Sequence, residues 1–447
     1  MSSDASVGPR GLSADTIVIE SVLGREVLDS RGNPTVEAEV VLSNGVMGRA
    51  QVPSGASTGS HEAVELRDRD ASRFGGNGVL QAVSNVSNVL GSYLAKRSPF
   101  FQEDLDQFMA GLDHTDNKGE LGANAILSVS LAVAHAAASA RGLSLWRYVA
   151  EGGPVSLPVP MFNILNGGRH ASDSADIQEF MVLPVGVQTF SDALRAGAEI
   201  YQSLRFLLRA AGHSLNVGDE GGFAPSLPSN KDALEIVLMA VENAGYTPGR
   251  EVFLGLDVAA TELYNATSER YVLEREGVTL DSGELIDLYE SWVSQYPILS
   301  IEDGLSEDDW KGWSAMRKRL GSSVQLVGDD LLVTNIDRIN RGIEEQASNA
   351  VLLKLNQIGT LTETRQALET ARAAGWGAVM SHRSGETEDT TIADLSVGWD
   401  VRQIKTGAPA RSERVAKYNR LLRIEAELGD GAEYAGASAF DYLGRAL

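Results

Sequence analysis

The sequence predicts an α/β barrel of the TIM type that follows a smaller α+β domain, because one design recurs along its C-terminal half. Short apolar strands end on a charged residue, as in VFLGLD, ILSIED, VQLVGDD, VLLKLN and QIKTG. From Glu302 onward these charged positions are separated by 22 to 29 residues, enough for a strand, a helix and two loops. The intervening segments have helical periodicity, and LTETRQALETARAAG ends at Gly375, a suitable C-cap. In such a barrel the active site lies at the carboxyl ends of the strands.

The alternative architecture is a doubly wound open sheet with scattered buried charges. Charged groups are costly to bury unless they pair with one another or bind ions. Their recurrence at successive strand ends therefore favours a barrel in which they meet at one site.

Composition limits both the number of domains and the classes of partner. The chain has 447 residues, too many for one ordinary core, which favours two domains. Its formal net charge of −23 disfavours binding to nucleic acid or to anionic membranes. The absence of cysteine excludes disulfides, thiolate zinc sites and cysteine nucleophiles.

The N-terminal part divides into a leader and a domain of its own. Residues 1–15 are rich in Ser, Asp and Gly and are expected to be a disordered leader. Three antiparallel strands are predicted in TIVIESVLGREVL, TVEAEVVLSNG and VMGRAQVP, followed by helices near 79–96, 101–112 and 124–141. The Pro- and Gly-rich stretch GGPVSLPVP marks a boundary, giving an α+β capping domain at 16–152 and the barrel at 153–447.

The same region bears on localisation. The N-terminus lacks the basic and apolar regions of a secretory signal. The most apolar window, 125–140, is expected to be too short and too polar to span a bilayer. A cytoplasmic protein is the simplest interpretation.

Three glycine-rich loops carry polar side chains. PSGASTGS (53–60) and NGGRHASDS (166–174, with His170) have the small residues typical of lids that close on a ligand, although exposed turns have the same composition. In VGDEGGFAP, the glycines around Glu220 let the backbone approach another group closely.

The acids at three strand ends predict a metal site. Asp257, Glu302 and Asp329, here called the acid triad, offer hard oxygen ligands that suit magnesium better than zinc or copper. The alternative for each acid is an N-cap of the following helix, a role that Asp303 or Asp330 also fits.

The remaining charges predict acid–base chemistry on an anion. Lys354 stands between two leucines and is expected to point into the barrel, either as a neutral base or in a structural ion pair. Arg383 and Lys405 would supply positive charge for an anionic substrate, and Glu220 and Glu179 are candidate acids. A base beside a metal site is suited to removing a proton α to a carboxylate.

The sequence resembles the enolase (phosphopyruvate hydratase) family over essentially its whole length after the leader. The resemblance rests on long motifs in the same order: DSRGNPT, PSGASTG, DNKGELGANA, QEFM, GDEGGFAP, SIEDGL, GDDLLVTN, KLNQIG, SHRSGETED and QIKTGAPARSERVAKYN. The enolase superfamily is itself the established example of a lysine or histidine base working with magnesium.

The resemblance implies a role for each matching position in the dehydration of 2-phosphoglycerate to phosphoenolpyruvate. The acid triad would hold one Mg²⁺, and Ser57 would help to hold a second. Lys354 would take the C2 proton, Glu220 with Glu179 would help the C3 hydroxyl to leave, and His170 would close over the site. Substrate contacts would come from Gln178, Ser381, His382, Arg383, Ser384 and Lys405. The family usually forms homodimers.

Two regions depart from the family pattern and keep other functions open. Trp399 and Arg402 replace small residues before the QIKTG strand, and Arg169 precedes His170 in the second lid. Their backbone is expected to lie near the mouth of the pocket, where they could contact a second, nucleotide ligand, although packing and surface pairing would also explain them. The alternatives to enolase are therefore an enzyme similar to carboxyphosphonoenolpyruvate synthase, using a CMP-activated phosphonoformate, and a non-enzymatic binding role.

Overall fold

The computed structural model describes residues 16–55, 59–168, 174–445 and 447. The leader therefore lies outside the described residues, as do Ser57, Arg169 and His170.

The N-terminal part begins with the three antiparallel strands that the sequence predicted. They are β1 (Ile19–Leu28), β2 (Pro34–Leu42) and β3 (Met47–Gln51), in that order across the sheet. The turn between β2 and β3 contains Asn44, whose Oδ1 accepts from the Val46 N–H at 3.1 Å, and Gly45, whose φ of 82° suits glycine. Helices follow: α1 (Leu80–Ser84), α2 (Gly91–Leu94), α3 (Gln102–Leu112), α4 (Ala123–Ala140) and α5 (Leu145–Ala150).

The helix α4 is the core of this domain. It packs on β2 and β3, where Gly48 admits it closely, because a Cβ at Gly48 would lie 2.2 Å from Ala132 O. Among the described helices, α4 is long and apolar enough to cross a membrane, contrary to the expectation for its window, but most of it is buried inside the protein. Its apolar composition therefore serves the core.

The C-terminal part is a closed barrel, so the open-sheet alternative is wrong. Within the described residues the strand order is β10-β11-β12-β13-β14-β4-β5-β6. All neighbours are parallel except β5, which is antiparallel to both β4 and β6. The barrel strands are β4 (Val159–Asn166), β5 (Glu179–Leu183), β6 (Phe253–Asp257), β10 (Ile298–Glu302), β11 (Gln325–Gly328), β12 (Ala350–Leu353), β13 (Gly377–Ser381) and β14 (Gln403–Lys405), and a small separate sheet contains β7 (Tyr264–Asn265), β8 (Arg270–Leu273) and β9 (Val278–Leu280).

Helices surround the barrel and have clear sequence signals at their ends. The Asp281 side chain and Glu284 form a capping box at the start of α8, and Thr360 caps α12. Gly375 follows the end of α12 with φ of 72°, as the sequence predicted for a helix stop. The helices are α6 (Phe190–Ala210), α7 (Asn230–Asn243), α8 (Ser282–Gln295), α9 (Trp310–Leu320), α10 (Ile336–Glu344), α11 (Leu355–Ile358), α12 (Leu361–Ala373), α13 (Thr391–Gly398) and α14 (Ser412–Leu428).

The N-terminal domain is fixed against the carboxyl end of the barrel strands. Ser54 and Gly385 exchange backbone hydrogen bonds of 2.7 and 2.9 Å, which places the start of the first glycine-rich loop beside the loop after β13. Farther out, the buried Asp106 carboxylate accepts from Thr362 N at 3.0 Å at the start of α12. These contacts hold the start of the first glycine-rich loop, at Ser54, next to the strand ends.

Candidate active site

Strand alternation determines which residues enter the barrel. On β12, Ala350 and Leu352 belong to the apolar cluster inside the barrel, whereas Val351 and Leu353 pack outward against the helices. Because side chains alternate across a strand, Lys354 lies on the inner face, one step beyond Leu352. On β6, β11 and β14 the charged residue likewise stands two positions after a residue that faces the barrel interior. The pairs are Gly255–Asp257, Val327–Asp329 and Gln403–Lys405.

Because β5 runs antiparallel to its neighbours, an acid at its first residue joins the charged groups at the carboxyl ends of the other strands. Glu179 is the first residue of β5 and is register partner of Asp257, the last residue of β6. Because β5 is antiparallel to its neighbours, its amino end meets their carboxyl ends. Glu302 is register partner of Asp257 on the other side, so three carboxylates lie side by side.

Lys405 lies among these carboxylates. Its Nζ is 2.7 Å from Asp257 Oδ2, 2.8 Å from Glu302 Oε1 and 3.3 Å from Glu179 Oε2, and all four side chains are buried. Although burial lowers the pKa of Lys405, the surrounding carboxylates, Asp257 first, raise it well above its usual range. Burial, together with neighbouring acids, raises the pKa values of Glu179 and Glu302 well above the usual range of a carboxyl.

Lys354 pairs with the third member of the acid triad. Its Nζ donates to Asp329 Oδ2, and Asp329 Oδ1 accepts from Gln357 Nε2 at 2.8 Å. Burial opposes charge on both groups, but their attraction prevails, so the pKa of Asp329 is lowered and that of Lys354 is raised. The predicted ion pair of Lys354 with one of the acids is therefore present in this structure.

A neutral histidine contacts Glu220. Arg414 Nη1 lies 2.6 Å from His382 Nδ1, and an arginine only donates, so Nδ1 must accept. The proton is therefore on Nε2, which lies 3.3 Å from Glu220 Oε2. Burial, assisted by Arg414, lowers the pKa of His382 to about 3, which keeps the ring neutral. Asn163 Nδ2 also donates to Glu220 Oε2, at 3.1 Å.

The loop after β13 presents Arg383 and Ser384. Arg383 is buried, and its Nη1 donates to Asn356 Oδ1 at 2.8 Å and to Glu62 Oε2 at 2.9 Å. Arg414, in the first turn of α14, supports this loop by donating to the carbonyls of Arg383 and Ser384 at 2.6 and 2.7 Å. Arg383 is thereby held rigidly at the strand ends.

One pocket at this end of the barrel brings together many of the predicted site residues. Those that line it are Gln178, Glu179, Glu220, Asp257, Asp329, Lys354, Ser381, His382, Arg383, Ser384 and Lys405. Glu302 lies beside it, in contact with Lys405.

Both domains match models of known protein families. Residues 19–149 match the model described as "Enolase, N-terminal domain", and residues 154–443 match "Enolase, C-terminal TIM barrel domain". The chain belongs to the enolase family. The match agrees with an enolase-superfamily enzyme of the lyase type, and with the mixed barrel and N-terminal sheet described above.

The acid triad of this enolase-family chain fits a magnesium ion. Glu302 Oε2 is buried and accepts no hydrogen bond from any residue in the ranges 16–55, 59–168 and 174–445. Hard carboxylate oxygens that lack donors are the groups that Mg²⁺ binds. The ammonium of Lys405 contacts Asp257 and Glu302, so these two carboxylates already attract a positive charge.

A second acidic group neighbours the triad. Carboxylate oxygens of Asp303, Asp329 and Asp330 lie within 4.8 Å of one another. Both oxygens of Asp303 already accept backbone N–H groups, those of Asp329 and Asp330, at 2.9 Å each. Asp303 therefore shapes the turn that carries Asp329, close to the capping role that the sequence suggested for it.

The prediction that Trp399 and Arg402 lie near the mouth of the pocket is wrong. Both precede β14, and Lys405 ends it, so they lie at the amino end of the strand, opposite the site. Arg402 pairs with Asp400 at 3.0 Å, and Trp399 lines a separate cleft with Phe100 and other residues. Closeness in sequence did not imply closeness in space, because an intervening strand separates the two ends of a barrel.

Several residues of the site were missed by sequence reasoning, namely Glu62, Asn163, Asn356, Gln357 and Arg414. Arg414 left a signal, because it lies with Lys417, Tyr418 and Leu421 on the buried face of α14. A charged residue on the apolar stripe of a helix indicates a specific buried partner.

Proposed function

We propose that this chain catalyses the Mg²⁺-dependent dehydration of 2-phosphoglycerate to phosphoenolpyruvate. The observation that carries the proposal is a single pocket that joins a buried lysine, Asp257 and Asp329 of the acid triad, two further carboxyl groups and an arginine that can bind an anion, with Glu302 in contact with Lys405 beside it. The resemblance of the motifs to enolase gives the substrate.

Lys354 is the base in this proposal. It would accept the C2 proton on Nζ, which requires the neutral amine. Its pairing with Asp329 favours the ammonium instead, so Asp329 must be engaged elsewhere before Lys354 can act. Mg²⁺ held by Asp257, Glu302 and Asp329 would stabilise the enolate charge and occupy these carboxylates.

Glu179 and Glu220 would assist departure of the C3 hydroxyl as water. Burial, then the charge of Glu220, raises the pKa of Glu179 well above its usual range, which favours the protonated form of Glu179. That proton would go to the leaving hydroxyl as the C3–O bond breaks. The neutral His382 keeps the Glu220 carboxyl oriented by its Nε2–H.

The substrate anion would be bound by positive groups on the same strand ends. Arg383 and Ser384 would contact the phosphate, and Lys405 the carboxylate region. By resemblance, Ser57 would help to hold a second Mg²⁺, His170 would close the site, and the enzyme would act as a homodimer.

The alternative with a nucleotide second substrate loses its main support. It depended on Trp399 and Arg402 near the pocket, and both lie at the opposite end of the barrel. A plain hydratase is therefore the function that the site supports best.

The direct test is to incubate the protein with Mg²⁺ and 2-phosphoglycerate and to follow phosphoenolpyruvate by phosphorus NMR. Formation that stops on addition of chelator is expected. Absence of product, together with binding of CMP measured by calorimetry, would favour the nucleotide-dependent reaction instead.

A further inference from the structure

Glu62 belongs to the N-terminal domain but reaches the anion-binding arginine of the barrel. Its Oε2 accepts from Arg383 Nη1 at 2.9 Å and its Oε1 from Arg383 Nη2 at 3.1 Å. Two parallel hydrogen bonds of this kind fix the plane of a guanidinium as well as its position. Both side chains are buried, with exposed fractions of 6% for Glu62 and 3% for Arg383.

Glu62 also bonds to the base of the first glycine-rich loop. Gly59 N, the first described amide after residues 56–58, donates to Glu62 Oε1 at 3.0 Å. One carboxylate therefore contacts both the end of this loop and the arginine of the barrel. Glu62 therefore links the backbone at Gly59 to the guanidinium of Arg383.

The same carboxylate is linked to the acid triad. Gln357 Nε2 lies 3.4 Å from Glu62 Oε1 and donates to Asp329 Oδ1 at 2.8 Å. Gln357 is itself held by Thr334, whose hydroxyl donates to Gln357 Oε1 at 2.9 Å. The anion-binding arginine and the acid triad are thus connected through Gln357.

We propose that Glu62 is a positioning residue that aligns Arg383 for the phosphate group and links this alignment to the backbone at Gly59. The inference rests on the proposed function for the identity of the anion. It assigns a role in substrate binding to the N-terminal domain through a residue outside the glycine-rich loop itself.

The direction in which phosphate affinity changes when Glu62 is removed distinguishes a positioning role from simple neutralisation of the Arg383 charge. Removing a negative charge beside Arg383 would strengthen attraction for a phosphate if Glu62 only neutralised the arginine. If Glu62 orients the guanidinium, its removal weakens anion binding although the local charge becomes more positive. The two roles therefore predict opposite changes in phosphate affinity.

The experiment compares Glu62→Gln with the parent, using inorganic phosphate with Mg²⁺ as the probe in calorimetry and 2-phosphoglycerate for kinetics. We expect phosphate to bind about tenfold more weakly and kcat/KM to fall about ten- to hundredfold. Glu62→Asp, which keeps the charge but shortens the side chain, should show a smaller loss and covers the case that Glu62→Gln does not fold.

Glu363→Gln is the matched control. It removes another ion pair between the N-terminal domain and the barrel, with Lys118 at 2.8 Å, and neither residue lines the pocket that contains Arg383. It should lower thermal stability but change phosphate affinity less than twofold. In the Arg383→Lys background, Glu62→Gln should have little further effect, because its action passes through the lost guanidinium.

Unchanged or tighter phosphate binding in Glu62→Gln would overturn the inference. Phosphate binding requires no turnover, so this outcome is distinct from failure of the proposed reaction. A parent that binds phosphate but forms no phosphoenolpyruvate would refute the function and leave the positioning role to be decided by the binding data.

Discussion

The amino end and the carboxyl end of the barrel interior are formed by the same strands but differ in the chemistry of their side chains. Toward the amino end, below the charged groups, apolar side chains such as Val159, Leu352 and Val379 fill the space. Polar groups there bond to one another: Gln325 Nε2 donates to Gln403 Oε1 at 3.0 Å, and Gln403 Nε2 donates to Gln325 Oε1 at 2.8 Å.

At the carboxyl end, one residue farther on the inner face of several strands, the interior is charged. Lys405 contacts three carboxylates, and Glu302 keeps a buried oxygen without a hydrogen-bond partner among the described residues. Such groups cost stability unless a cation completes them. The amino end therefore supports the fold, whereas the carboxyl end is arranged for chemistry.

The largest effect on activity should come from removing a metal ligand at the charged carboxyl end of the barrel. Asp329→Asn removes one negative ligand and the partner of Lys354, so we expect Mg²⁺ affinity to fall at least tenfold and activity to be nearly abolished. Excess chelator should abolish the activity of the parent, and Mg²⁺ should restore it. Full activity in chelator would contradict a metal site.

The matched change in the apolar layer below the charged groups should act on stability alone. Leu352 is buried one step below Lys354, and Leu352→Ala should lower the free energy of unfolding by about 2–5 kcal/mol. Mg²⁺ affinity, measured well below the midpoint of thermal unfolding, should change less than twofold. Loss of metal binding in the folded variant would show that the two ends are not separable.

The contact of Asp106 with Thr362, between the two domains, should make the stability of the fold depend on pH. Burial raises the pKa of Asp106 to about 6, so its folded form holds a proton more tightly than the unfolded chain does. This contribution to stability is full below about pH 4 and is lost as pH rises through about 6, with a total of about 3 kcal/mol.

The variant Asp106→Asn cannot titrate, so its stability relative to the parent should rise between pH 4 and 7. Urea unfolding at several pH values measures this difference. A difference that stays constant over that range would mean that Asp106 does not titrate as described.

The smallest effect should follow from Arg402→Ala. Arg402 is partly exposed and pairs with Asp400 at the amino end of β14, away from the pocket. Its loss should change kcat/KM less than twofold and stability by less than about 1 kcal/mol. A tenfold loss of activity would restore the hypothesis of a second ligand.

Local sequence patterns predicted the site residues whose positions are set by strand alternation and by the ends of the strands. Lys354, Asp257 and Lys405 follow apolar runs, and their place inside the barrel follows from a period of two. The antiparallel direction of β5 was not visible in the local pattern, so the sequence offered Glu179 as a candidate acid but not its place beside Asp257.

Contacts between distant segments could not be predicted in this way. Glu62 meets Arg383 across 321 positions of sequence, and Arg414 meets His382 across 32. The error over Trp399 has the related cause that chain direction, rather than distance along the chain, decides which end of the barrel a residue joins.

The most direct test of the account is exchange of the C2 proton of 2-phosphoglycerate with deuterated solvent, followed by proton NMR with Mg²⁺ present. If Lys354 is the base and Glu220 acts afterwards, Lys354→Ala abolishes exchange while Glu220→Gln retains measurable exchange and forms phosphoenolpyruvate slowly. Equal loss of exchange in both variants, or exchange that persists in Lys354→Ala, would contradict it.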